Sequence, residues 1–176
     1  MRELTEYAGL VVPRMNVATL FKGLFTPEKM AVFHAERNSD LAKTVLPNSY
    51  ASASPAHEVI QELEDHDLPA IAEVIGTLSV LFSQTNRRSP LLTCTRTSLA
   101  RTTTIHRDND PIMLMRFVVV ENGGGDYFLN GSPRAQHAGP GDTVCLNNLS
   151  AFADTRPLHG IEHASGYRSI VNFIST

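Results

Sequence analysis

The segment Thr104-Ile105-His106-Arg107-Asp108-Asn109-Asp110 sets an imidazole and a carboxylate two residues apart. On extended backbone alternate side chains share a face, so His106 and Asp108 are expected to point the same way and to hold one cation between them. A third ligand must come from elsewhere in the chain. Pro157-Leu158-His159-Gly160-Ile161-Glu162-His163 offers two histidines, His159 and His163. They are four residues apart and can share a strand face, so spacing alone leaves the choice between them open.

Two imidazoles and one carboxylate on one face of an octahedron are the donor set of non-heme Fe(II) oxygenases, with positions left for a bidentate co-substrate and dioxygen. The expectation is one mononuclear Fe(II), with no catalytic side chain beyond the metal site. A lone H-x-D is a weak signal, since short motifs recur by chance. Its weight here comes from order: H-x-D, then glycine-punctuated strands, then His159, then Arg168 nine positions on.

The elements that must position these residues change character along the chain. Thr26-Pro27-Glu28 is a helix start, with a hydroxyl cap, proline in the first turn and an acid near the positive end of the dipole. The spacing predicts a helix from Glu28 to Val45 with Met30, Val32, Phe33 and Leu41 in the core, stopped by Pro47. Ser54-Pro55 opens a second helix carrying Val59, Ile60 and Leu63. Asp67 or the Leu68-Pro69 pair opens a third, with Ile71, Val74, Ile75, Leu78 and Leu81 in helical period. From about Leu91 the pattern reads as strands: threonine-rich Thr93 to Thr104, apolar Ile112 to Val120 buried on both faces, Asp126 to Leu129, Thr143 to Leu146 and Tyr167 to Ile174. Asn122-Gly123-Gly124-Gly125 and Asn130-Gly131 read as hairpin turns, and Pro140-Gly141-Asp142 as another turn. The triglycine joins strands and does not lead into a helix, which excludes a phosphate loop. The fold expected is α+β, with a jelly-roll or cupin-like β-helix core over residues 91–176 and a helical layer over 1–90 packed on one sheet, in a single domain.

Composition excludes several classes. The 176 residues carry a formal charge of −3 and scattered arginines, so no nucleic-acid partner is expected. No apolar stretch approaches the roughly 20 residues of a spanning helix, and no signal-peptide pattern opens the chain. The expectation is a cytoplasmic protein with no membrane partner, with homo-oligomerisation open. Cys94 and Cys145 sit in apolar or β-prone runs and read as small buried residues. Arg116, inside an apolar run, must be paired. It is a candidate clamp for a substrate or co-substrate carboxylate, or else an ion pair with Asp126 or Asp142. Arg101 and Arg96 alternate with threonines and read as exposed, with the mouth of a substrate site as the alternative. Arg107 should face away from the ligands, and Asn109 and Asp110 read as turn residues. His34, His57 and His66 read as solvated helix positions, and His137 as a structural loop residue.

From Arg96 to Phe173 the chain resembles the Fe(II)/2-oxoglutarate-dependent dioxygenase superfamily, whose core is a double-stranded β-helix. The resemblance rests on His106-x-Asp108, on distal His159, on Gly166-Tyr167-Arg168 and on the Pro140-Gly141-Asp142 turn. It selects His159 over His163 and implies that Arg168 binds the far carboxylate of 2-oxoglutarate as a bidentate fork. Many members carry R-x-S. Here Ser169 is adjacent to Arg168 and faces away on a regular strand, so a second donor is expected from Tyr127, Asn147 or Thr104. His106-Arg107-Asp108 followed by a glycine pair resembles small bacterial members that hydroxylate free amino acids, which implies a small-molecule substrate. Asp108 disfavours halogenation, since a halide needs the position it fills. A second resemblance, over nearly the whole chain, is to a bacterial family of unknown function with the same core. The rival reading is a cupin-like metalloprotein or metal-dependent enzyme that does not use 2-oxoglutarate.

Overall fold

A computed structural model describes residues 16–45, 54–84, 91–99, 101–109, 114–148 and 153–174. In chain order the elements are β1 (Ala18–Phe21), α1 (Pro27–Asn38), α2 (Asp40–Val45), β2 (Ser54–Pro55), α3 (Ala56–Asp65), α4 (Pro69–Ser83), β3 (Leu91–Ser98), β4 (Thr103–His106), β5 (Leu114–Leu129), β6 (Gln136–Ala138), β7 (Thr143–Asn147) and β8 (His159–Ile174).

The first helix starts as its sequence dictates, with Thr26 Oγ1 accepting from Lys29 N at 3.2 Å. It does not run to Val45. Ser39 adopts extended backbone (φ −62°, ψ 152°) and its hydroxyl accepts from Ala42 N, starting α2 afresh. A hydroxyl that can cap a new helix competes with the backbone for continuing the old one. After the break Leu41 is exposed (42%) and not in the core as expected; Val32 is exposed too (57%), being on the face of α1 opposite the buried Met30, Phe33 and Arg37. Helix α4 buries Ile71, Val74, Ile75, Leu78 and Leu81. Its N-cap residue, Leu68, has no side-chain acceptor, and the Glu36 carboxylate of α1 accepts from Ala70 N (3.0 Å) and Ile71 N (2.8 Å) in its place. One helix thus caps another. His34 is not a solvated helix position. Its Nδ1 lies 3.2 Å from the buried Glu121 carboxylate, and its Nε2 bonds Asn38 and Asn122.

Strands β5 and β8 pair antiparallel along their whole length, from Leu114 opposite Ile174 to Leu129 opposite His159. The first part of β5 and the last part of β8 belong to a sheet ordered β1-β7-β5-β8-β3-β2. The other ends of the same two strands carry β6 and β4. The arrangement is a double-stranded β-helix with the helices on one sheet. Both β1 and β2 come from the half expected to be helical and extend that sheet. Period-2 alternation divides the core. Phe117, Val119, Cys145, Val171 and Phe173 meet the helices, and Phe173 stacks on Phe82 at 5.1 Å between centroids. Val118, Val120, Tyr127, Leu129, Val144, Leu146 and Ile161 fill the space between the sheets.

The glycine run does not turn the chain, contrary to the hairpin expected there: Asn122 to Gly125 lies inside β5. Register shifts on either side, between Val120 and Asn122 and between Gly124 and Asp126, mark β-bulges. Gly123 (φ +69°) faces Gly166 (φ +83°), and a Cβ on Gly123 would sit 2.3 Å from Ser165 O. Positive φ is demanded by bulges as well as by turns, and the sequence signal is the same for both. Likewise Gly166 does not precede the last strand but lies within it. The Asn130-Gly131 turn is as expected, with positive φ at both residues and Ser132 N donating to Leu129 O. The described part of the Thr93 to Thr104 run divides into β3 and β4. Cys145 is fully buried, which drives its thiol pKa far up; the side chains of Cys94 and Arg96, and residue Asp110, lie outside the described set.

Asp142, in the turn before β7, accepts from Gly23 N (2.7 Å), Gly139 N (2.9 Å) and Lys22 Nζ, which ties β1 to that turn. Burial alone would raise its carboxyl; the bonds from Lys22, Gly139 and Gly23 and the Lys22 charge outweigh burial and hold it below the usual aspartate range. A depressed folded pKa stabilises above the unfolded value of about 3.9 and is lost as pH falls through the folded one. Asp142→Asn should therefore lower stability at pH 7 and flatten the loss of stability between about pH 5 and 3, read from urea unfolding at stepped pH. Gly123→Ala should cost at least about 2 kcal/mol in the same assay, from the left-handed backbone and the clash with Ser165 O. A wild-type midpoint would show that the bulge is not held by that contact.

Candidate metal centre

Strand β4 ends at His106, directly opposite His159 at the start of β8. Cross-strand neighbours bring the two imidazoles side by side, with ring centroids 4.5 Å apart. His106 Nδ1 lies 2.7 Å from Thr104 O, and His159 Nδ1 lies 3.1 Å from Pro157 O. A carbonyl only accepts, so Nδ1 carries a proton, and in the neutral form of each ring the lone pair is on Nε2. Burial pushes His159 below the ordinary histidine range; Asp108 and Pro157 O oppose this without reversing it, so the ring is neutral at pH 7.

Asp108 is not on the strand. It lies two residues past the end of β4 and is buried at 8% exposure. Three groups from distant parts of the chain hold it there. Arg116 Nη1 donates to Oδ1 at 2.9 Å, Asn148 Nδ2 donates to Oδ2 at 2.6 Å, and Arg156 Nη1 donates to the main-chain carbonyl at 3.0 Å. Oδ1 then stands 3.9 Å from His106 Nε2 and 3.7 Å from His159 Nε2. The three donor atoms lie within 4.8 Å of one another. Two donors bound at about 2.1 Å in cis or tetrahedral positions are roughly 3.0–3.4 Å apart, so an ion needs only a small inward movement of the set. Two bare imidazole nitrogens and a carboxylate oxygen suit a divalent transition metal, Fe(II) included.

Two of the three donors, His106 and His159, line a small cavity of about 110 Å³ together with Arg116, Tyr127, Arg168, Val118, Leu146 and Ile170; Asp108 is not part of its wall and meets it through Arg116 and the two imidazoles. His159 and Arg168 are nine residues apart and would face opposite ways on a regular strand. The bulge corrects this. Between the pairs Gly124–Ser165 and Asp126–Glu162, β8 has two residues where β5 has one, and the phase of β8 flips. His163 (φ +50°) occupies that bulge, is exposed, and is not among the three converging donors. Tyr127 is buried with its hydroxyl beside the Arg168 guanidinium; burial raises its pKa and Arg168 only partly offsets this, so it stays a neutral donor at pH 7. Ser169 faces the other way, as expected, and donates to Glu121 at 2.8 Å.

Arg116 pairs with Asp108 and, through Nε, with Asn172 Oδ1 at 2.8 Å; neither Asp126 nor Asp142 is its partner. Asn147 is buried and its main chain bonds Asn16 and Val17, away from the cavity lining. Thr104 and Arg101 are exposed and do not line the cavity. Arg107 donates to Arg156 O, Asn109 is exposed, and His137 pairs with Asp126 at 2.9 Å. Sequence reasoning missed Asn148 and Arg156. Their contacts to Asp108 span 40 and 48 residues, and no local pattern marks them.

No family model and no curated protein matches this chain. Among solved structures, a prolyl-4-hydroxylase from Pseudomonas putida is 12% identical, with 97% of this chain and 95% of that one covered at a TM-score of 0.50. The truncated viral collagen prolyl hydroxylase of Paramecium Bursaria Chlorella virus-1 is 15% identical over 92% of each chain, with a TM-score of 0.49. At such identities the likeness is one of fold alone: this chain shares the architecture of the Pseudomonas putida prolyl-4-hydroxylase.

Proposed function

We propose that this protein is an Fe(II)- and 2-oxoglutarate-dependent oxygenase that hydroxylates a small molecule such as an amino acid. One observation carries the reading: His106 and His159, which converge with Asp108, line the same cavity as Arg168 and Tyr127. The three donors would hold the metal, and the arginine, with the tyrosine hydroxyl beside it, would take the far carboxylate of the co-substrate. Arg116 uses one Nη1 hydrogen on Asp108 and Nε on Asn172, which leaves Nη2 for a substrate or co-substrate carboxylate. When bound, ferrous iron supplies dioxygen activation coupled to decarboxylation of the co-substrate. The protein's own part is to orient both molecules and to keep the reacting end dry, which the apolar wall of Val118, Leu146 and Ile170 would do. The partners are then dioxygen and a small-molecule substrate.

Anaerobic addition of Fe(II) and 2-oxoglutarate should give a weak charge-transfer band near about 500 nm, the mark of chelation at a facial triad. Arg168→Ala should weaken 2-oxoglutarate binding roughly 100-fold, as expected for losing a charged fork. Fully metallated protein with no band would favour the cupin-like reading. His106→Ala and Asp108→Ala should abolish stoichiometric iron binding, measured by metal analysis after desalting, whereas His163→Ala should retain it. Metal lost with His163→Ala and kept with His159→Ala would reverse the ligand assignment.

A further inference from the structure

Asp108 offers two carboxylate oxygens, and the site uses them differently. Oδ1 faces the two imidazoles; Oδ2 is turned away and accepts from Asn148 Nδ2 at 2.6 Å. Asn148 is fully buried just past the end of β7. Its own Oδ1 accepts no hydrogen bond among the described residues. The amide orientation is fixed by chemistry, since an oxygen cannot face a carboxylate at that distance and only the N–H can. A buried amide that leaves one end unsatisfied is costly to the fold, and the bond to Asp108 is the side-chain hydrogen bond it makes among the described residues. The backbone around it is pinned: Asn147 N donates to Val17 O, Asn147 O accepts from Asn16 N, and Asn148 N donates to Leu146 O.

We infer that Asn148 is a positioning residue that keeps Asp108 a one-oxygen ligand by withholding Oδ2. The inference rests on the metal centre proposed above. Its consequence is a matter of counting positions. Three protein donors on an octahedron leave three positions, enough for a two-point co-substrate and dioxygen together. A carboxylate bound through both oxygens would leave two and exclude one of them. Arg156 fixes the Asp108 main chain and Arg116 holds Oδ1, a bond that a pivot about Oδ1 can keep. Among the described contacts, Asn148 is the one that engages Oδ2 itself and so opposes that pivot.

The test uses Co(II) as the probe metal in the full chain, wild type against Asn148→Ala and Asn148→Leu. Leucine keeps the volume of asparagine without the donor, so it remains informative if the alanine variant does not fold. Both variants should bind one equivalent of Co(II) within about threefold of the wild-type affinity. Each should show a changed ligand-field spectrum and, with 2-oxoglutarate bound, take up azide as a probe of the remaining position at least about tenfold more weakly, a difference of about 1.4 kcal/mol. A merely structural role would instead weaken metal and 2-oxoglutarate together and lower the melting temperature. That result, or wild-type spectra and affinities in both variants, overturns the inference. Wild-type protein that binds no Co(II) removes the metal centre and the inference with it. Wild type that binds Co(II) but not 2-oxoglutarate overturns the oxygenase reading alone, and the Co(II) spectra of the variants still decide the role of Asn148.

Discussion

The pairing of β5 with β8 is the constraint on which the rest depends. Sixteen residues of each strand run together and bend out of one sheet into the other. The bend requires the two backbones to approach at Gly123 and Gly166 more closely than any side chain permits. It also requires one extra residue on each strand, and the extra residue on β8 is what turns Arg168 into the cavity that holds His159. A strand without that bulge would present the histidine inside and the arginine outside. Core packing agrees with the same register: Phe117 and Phe173 meet edge to face on the helical side, with centroids 5.7 Å apart.

The bulge on β5 brings its own cost. Glu121 is the extra residue and is buried on the helical face, where His34 and Ser169 bond its carboxylate and Arg37 Nε stands 3.8 Å away. A buried carboxylate is tolerable only with such partners. They come from α1 and β8, so the helix is fixed to the sheet at the point where the ribbon bends. The cavity side shows the same logic. Asp108 is past the last rung of its strand and has no ladder to hold it, and three side chains from β5, the end of β7 and the segment before β8 do the work of one.

Much of this was legible in the residues. Helix α4 announces itself by five apolar positions in period and a proline at its start. The both-face burial of the apolar run through Val120 follows from its lack of alternation, and His106 and Asp108 are neighbours whatever the fold. Less legible were features with two physical solutions. Glycines at positive φ serve turns and bulges equally, so the run at Gly123 to Gly125 read as a hairpin. Ser39 could sit inside a helix or cap a new one, and it caps α2, with Leu41 outside.

The sequence by itself determined the donor types, the His106–Asp108 proximity, the apolar segments and the true Asn130-Gly131 turn, because each depends on residues a few positions apart. Tertiary structure decided how His159 and Arg168 come to one cavity, which partner Arg116 takes, and that Asn148 and Arg156 hold Asp108. These depend on strand register and on contacts across 40 residues or more. A single inserted residue inverts every side chain beyond it, and nothing local to either strand records where that insertion falls.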